Sequence, residues 1–257
     1  MKKLLTSIAL SIRTLGILIS PPKRPVVPHC HSINALLMHL CDYDKRLHHW
    51  VLCWIAYPLR NPGAKMDTAI IVNGSQGSGK GLFFERIVGQ LHGGAKLLPT
   101  RAFFDAHRLN AFAAETTYAV LDGCPSNRLA GQLKHLVSSN TVMVRRPYES
   151  AATELKNTLN LVVISDGDDF LPLGAGSRRF VTIEAPPPHG PALYTDVDFE
   201  IKHGGIEAFR KYLQSELAMG DFEPGTLPQP LSAAEISSAW VKAAKGPVRA
   251  PASGRQA

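Results

Sequence analysis

The stretch "TAIIVNGSQGSGKGLFFERIV", residues 68–88, joins a β-branched apolar run to a helical apolar stripe through a loop holding four glycines. That order constrains the fold more than any other feature of the chain. Thr68 to Val72 predicts a buried strand. Leu82, Phe83, Phe84, Ile87, Val88 and Leu91 recur at helical spacing, and Gly93 and Gly94 end the helix. Between them, Gly74, Gly79 and Lys80 match G-x-x-x-x-G-K in the strand-to-helix context this pattern needs. Such a loop cradles phosphates for three physical reasons. Glycines let backbone N–H groups converge on oxygens, the helix start adds partial positive charge, and a lysine reaches the outer phosphates. Gly74, Ser75, Gln76, Gly77, Ser78, Gly79, Lys80 and Gly81 are therefore the candidate phosphate-binding residues. Gly81 departs from the pattern, because Ser or Thr normally places a hydroxyl on Mg²⁺ there, and a water can substitute at some cost in metal affinity. A flexible turn with a solvated lysine is the plainer alternative.

Further strands follow. Tyr118 to Leu121 is a buried-type run ending in Asp122, an acid that can hold Mg²⁺ or simply form an Asp-Gly turn. Leu161 to Ile164 ends in Ser165 and Asp166, and "GSRRF" brings Arg178 and Arg179 before another apolar strand. Those arginines fit either a solvated edge or the neutralisation of transition-state charge. Alternation from Thr141 to Val144 predicts a strand, after which Arg145, Arg146 and Pro147 mark a turn at a hairpin tip. Arginines at that tip either grip nucleic-acid phosphates or keep an edge strand soluble.

The remainder of the chain sets bounds. With 45% hydrophobic and 19% charged residues among 257, it is a globular chain with one sizeable core. Net charge +7 and a pI near 9.3 favour polyanionic partners. Cys30, Cys41, Cys53 and Cys124 lack paired spacing, so reduced thiols in a cytosolic setting are expected. The apolar N-terminus carries Leu4, Leu5, Ile8, Ile12, Leu15 and Ile19 at helical spacing but is interrupted by Arg13. It predicts a packing helix rather than a signal or membrane anchor, and no membrane partner is expected. Prolines at 21, 22, 25 and 28 precede a helix predicted from Ser32 to Leu59. His49 and Cys53 lie one turn apart there, too little for a zinc site. The expected divisions are residues 1–28 as an N-terminal segment, 29–64 helical, 65–187 an α/β nucleotide-binding core, 188–242 a helical subdomain and 243–257 a disordered tail.

From about Trp50 to about Pro228 the chain resembles the superfamily 3 helicase core of phage and plasmid primase-helicases, including that of the phage P4-type alpha protein. The resemblance is carried by "WIAYPLRNPGAKMDTAIIVNGSQGSGKGLFFERIVG", "SSNTVMVRR", "LNLVVISDGDDFLPLGAGSRRF" and "GGIEAFRKYLQSELAMGDFEPGTLP". It implies a P-loop NTPase of RecA-like/AAA+-like type, with a parallel sheet flanked by helices and small helical N- and C-terminal segments. It also implies a hexameric ring that uses ATP and Mg²⁺ to move on single-stranded DNA, alongside a separate primase or replication-initiation protein. On matching positions, Gly79 and Lys80 would bind phosphates, Asp122 would assist Mg²⁺, and Ser165 with Asp166 would sense the γ-phosphate. Arg178 or Arg179 would be offered to a neighbouring subunit, and Arg145 and Arg146 would sit on a DNA-facing hairpin.

Two positions depart from that family. Gly123 follows Asp122 where a second acid usually positions the attacking water, and Asp166 stands where Asn usually follows the sensor serine. The primase, zinc-binding and long C-terminal portions of full-length relatives have no counterpart in this sequence, so it reads as a helicase core cut from a longer protein. The expectation is therefore an ATP-dependent helicase with a degenerate Walker B acid and slow hydrolysis. A non-hydrolysing ATP- and DNA-binding or assembly module is the alternative, and a nucleotide kinase ranks below both.

Overall fold

The computed structural model describes residues 29–94, 96–97, 106–123, 127–145, 151–166 and 178–228. The apolar N-terminus, Cys124, Arg146 and the tail from 243 lie outside the described residues. In chain order the strands are β1 Ala69–Gly74, β2 Lys96–Leu97, β3 Tyr118–Asp122, β4 Thr141–Val144, β5 Thr153–Lys156, β6 Asn160–Asp166 and β7 Phe180–Ala185. The helices are α1 His31–Leu40, α2 Lys45–Arg60, α3 Leu82–Val88 running into Gly89–Leu91, α4 Ala106–Glu115, α5 Asn127–Ser138, α6 Pro191–Lys202 and α7 Gly205–Lys211 running into Tyr212–Glu216.

Five strands form one parallel sheet in the order β2-β3-β6-β1-β7. The middles of its central strands are continuously apolar, Ala69–Val72 in β1, Tyr118–Leu121 in β3 and Leu161–Ile164 in β6, because both faces are covered there. Alternation sends Ile70 and Val72 of β1, with Val162 and Ile164 of β6, into one core, shared with Leu36 and Leu37 of α1, Trp54 of α2, Phe83 and Phe84 of α3, Val197 of α6 and Phe209 of α7. Ala69 and Ile71, with Leu161 and Val163, face the other core against Leu109 and Ala113 of α4, Leu133 and Leu136 of α5, and Val142 and Val144 of β4.

The helices of the first face are tied down by buried polar contacts. Trp54 Nε1 donates to the carbonyl and hydroxyl of Thr68 just before β1, at 3.2 and 3.1 Å. Glu200 of α6, only 3% exposed, accepts from the Ser32 and Ile33 N–H groups at 2.9 and 3.0 Å, which satisfies orphan donors at the start of α1. Arg60 donates to the carbonyls of Leu213 and Leu217, holding the end of the α7 extension.

The helix expected from Ser32 to Leu59 is two helices. Asp42 and Tyr43 adopt positive φ (48° and 60°), and Asp44 caps α2 by accepting from the Arg46 and Leu47 N–H groups. β1 runs past its expected end at Val72, to Gly74, while β3 and β6 end at Asp122 and Asp166. Leu82–Val88 of α3 winds as a π-helix, a wider turn that nothing in the apolar spacing foretold. The expected hairpin is present as an antiparallel pair of β4 with β5, in which Val144 opposes Thr153.

Candidate functional site

The loop at residues 75–79 leaves the C-terminal end of β1 in a conformation that only its glycines tolerate. Gly77 and Gly79 have φ of 85° and 97°. A Cβ on Gly74 would stand 2.6 Å from the Ala185 carbonyl oxygen at the end of β7. A Cβ on Gly79 would stand 2.8 Å from Leu36 Cδ1 and 3.1 Å from Tyr194 Cε1, so α1 and α6 press on the back of the loop. A helical run then begins at Lys80, which leaves its first N–H groups without intrahelical partners.

Lys80 is 4% exposed. Its Nζ donates to the carbonyls of Gly74 and Ser75 at 2.7 and 2.9 Å, and to Ser78 Oγ at 3.4 Å. It also lies 2.8 Å from Asp166 Oδ1 at the end of β6. β1 and β6 are neighbours whose onward connections leave in opposite directions, towards β2 and towards β7. Such a switch point opens a crevice beyond the strand ends, the usual place for a ligand in this kind of sheet. A cleft of about 390 Å³ lies there, lined by residues 76–82 with Glu85, Asp122, Ile164, Asp166 and Tyr194.

The structure thus gathers Gln76, Gly77, Ser78, Gly79, Lys80, Gly81, Asp122 and Asp166 around one space. Ser165 lies one position short of it, buried and in register with Asn73. Gly123 has φ 98° and donates its N–H to the Ile164 carbonyl at 2.9 Å, so a glycine there meets a backbone requirement as well as lacking an acid. Glu85, which no motif in the sequence singles out, joins the lining. Burial first, and then the charge of Asp122, push its carboxyl above the usual range. Tyr118 beneath it is fully buried and donates its hydroxyl to the Phe84 carbonyl at 2.8 Å. The only advance signal for Glu85 is an acid in the first turn after the loop.

Arg178 and Arg179 stand elsewhere. They precede β7, and the Arg179 carbonyl accepts from the Ala69 N–H at the start of β1. β1 separates them from the loop by roughly 16 Å, at about 3.3 Å per residue. With Asp67, Thr68, Ser138 and Asn140 they line a second cavity of about 470 Å³. Arg145 follows β4 on the hairpin and is exposed. Cys53 Sγ meets His49 Nε2 at 3.5 Å, and Cys30, Cys41 and Cys53 are free thiols. Among the described residues no three metal-ligating side chains cluster, and no helix is long and apolar enough to cross a membrane.

The family model described as the Virulence-associated protein E-like domain matches residues 32–202, more than half of the chain. The chain belongs to this family. The VapE-like unit thus begins in α1 and ends with α6, taking in helices that back the loop as well as the sheet. No curated protein matches the chain. Among solved structures, the A-form apo structure of the NrS-1 C-terminal region is similar, with TM-score 0.58 and 21% identity over 77% of this chain and 49% of that one. The apo structure of the NrS-1 C-terminal region, 305–718, gives 0.61 and 18% over 84% and 52%. The VapE-like chain therefore shares their fold and spans about half their length.

Proposed function

We propose that this chain is the ATP-binding, superfamily 3 helicase-like P-loop domain of a phage or plasmid replication protein, which assembles as a hexameric ring and moves on single-stranded DNA. The observation that carries this reading is the placement of Lys80. Its ammonium is buried at the end of β1, beside β6, in a loop whose glycines leave the backbone open. A positive charge held at a helix start at the sheet's switch point suits a nucleotide's phosphates. Membership of the VapE-like family and the fold shared with the NrS-1 C-terminal region support a replication role.

The residues fit ATP with Mg²⁺. Gly77 and Gly79 give the loop the positive-φ backbone that a phosphate cradle uses, and Mg²⁺ needs only one or two carboxylates beside phosphate oxygens. Gly77, Ser78 and Gly79 offer backbone donors, Lys80 balances the outer phosphates, and Asp122 holds the cation. When bound, Mg²⁺ offsets charge on the transferring phosphoryl group. Asp166, with Ser165 behind it, reports the γ-phosphate through its contact with Lys80. Arg178 or Arg179 serves a neighbouring subunit, because its own loop lies at the other end of β1. Arg145 and Arg146, on the hairpin, hold DNA phosphates.

One observation favours the alternative of a binding module that does not hydrolyse ATP. With φ at 98°, position 123 cannot readily carry the acid that orients water. Titration of a fluorescent ATP analogue tests the first reading. Lys80→Ala should weaken binding strongly, and unchanged affinity overturns it. Phosphate release with and without single-stranded DNA separates motor from module: stimulation by DNA supports the motor, and its absence with intact binding supports the module.

A further inference from the structure

Glu85 stands one helical turn beyond Gly81, within the π-helical stretch that follows the loop. A Cβ on Gly81 would lie 3.5 Å from Glu85 Oε1 and 3.8 Å from Oε2. The carboxylate therefore occupies the neighbourhood into which a Ser or Thr hydroxyl at 81 would project. Gly81 itself has ordinary helical angles, φ −63° and ψ −40°, so no backbone requirement excludes a side chain there. Glu85 and Asp122 line the same cleft, from α3 and from the end of β3. Among the described residues neither carboxylate forms a salt bridge, while Lys80 is engaged with Asp166.

We propose that Glu85 is the second protein ligand of the divalent cation in this cleft, holding it with Asp122, directly or through one water, in place of the hydroxyl that Gly81 lacks. This rests on the nucleotide reading above. The exchange is chemically sound. Mg²⁺ and Mn²⁺ are oxygen-seeking cations satisfied by one or two carboxylates and phosphate oxygens. A carboxylate also brings a full charge where a hydroxyl brings only a dipole, so a site that has lost the hydroxyl can keep its metal.

The test measures metal and nucleotide separately. A fluorescent ADP analogue is first titrated in EDTA, and Mn²⁺ binding to the ADP complex is then followed by electron paramagnetic resonance. Glu85→Gln should bind ADP in EDTA no more weakly than the parent, which also reports an intact fold, and should lose Mn²⁺ affinity by about tenfold or more, the scale on which one metal partner acts. Gly81→Ser in the Glu85→Gln background should recover part of that loss by restoring the hydroxyl. Parental Mn²⁺ affinity in Glu85→Gln overturns the proposal while leaving the nucleotide reading intact. A parent protein that binds no ADP in either condition overturns the nucleotide reading and this one with it.

Discussion

Lys80 Nζ and Asp166 Oδ1 stand 2.8 Å apart, joining the first helical residue after the loop to the end of β6. The lysine is 4% exposed and the aspartate 54%. An acid at that place neutralises the charge that an incoming phosphate would use.

Asp166→Asn should therefore tighten ATP binding. A half-exposed ion pair is worth up to about 1 kcal/mol, or roughly fivefold in affinity. Equilibrium titration at low salt should show a gain of about two- to fivefold that shrinks as salt rises. Weaker binding by the asparagine variant would mean that Asp166 helps the ligand rather than competing with it.

The position of Arg178 and Arg179, at the far end of β1 from Lys80, predicts complementation between subunits. Neither Lys80→Ala protein nor Arg178→Ala/Arg179→Ala protein should release phosphate above background alone. Their mixture should recover part of the parent rate, since some interfaces then pair an intact loop with intact arginines. A silent mixture of proteins that co-assemble in light scattering would remove the arginines from the site.

Arg145 on the β4–β5 hairpin should touch phosphate and not bases. Arg145→Ala should weaken binding of single strands of any sequence alike. It should also reduce the slope of log affinity against log salt by about 0.7, the value for one phosphate no longer neutralised. A change confined to one sequence, or an unchanged slope, would count against this role.

His92 stacks on Tyr118 with ring centroids 4.9 Å apart. Burial, and then the Arg210 guanidinium, push its imidazole from 6.5 down to about 4. The folded form refuses a proton that the unfolded chain accepts, so this contribution is full above pH 6.5 and is lost as pH falls towards 4. His92→Phe keeps an aromatic ring on Tyr118 and removes the titration. Its urea midpoint should fall less than the parent's between about pH 7 and about pH 5. Some slope should persist, because burial also lowers His39 and His48. Equal slopes in the two proteins would place the acid sensitivity elsewhere.

Much of this is legible in the residues. Gly74, Gly77 and Gly79 can be read because a tight strand-to-helix loop needs that residue type, and β1, β3 and β6 because strands covered on both faces carry continuous apolar runs. The break at Asp42–Asp44 is hidden because apolar spacing continues across it, while the Asp44 cap is a local backbone event. Glu85 is hidden because its closeness to Gly81 and Asp122 exists only once α3 is wound and β3 is set beside β6. Gly123 reads as a lost acid alone, since a backbone angle leaves no mark in composition. The distance of Arg178 and Arg179 from the loop requires the strand order, which no single segment encodes.

The register of β1 carries a consequence for how the protein is made. This strand pairs with residues 162–166 on one side and 180–185 on the other, so both its neighbours are synthesised long after it. Pairing of that kind is slow, because distant segments must be brought together before any bond rewards the closure. On a ribosome the loop would emerge with its strand unpaired, and Lys80 would wait for Asp166. Nucleotide affinity should thus arrive late and abruptly during translation, when Ala185 has cleared the exit tunnel.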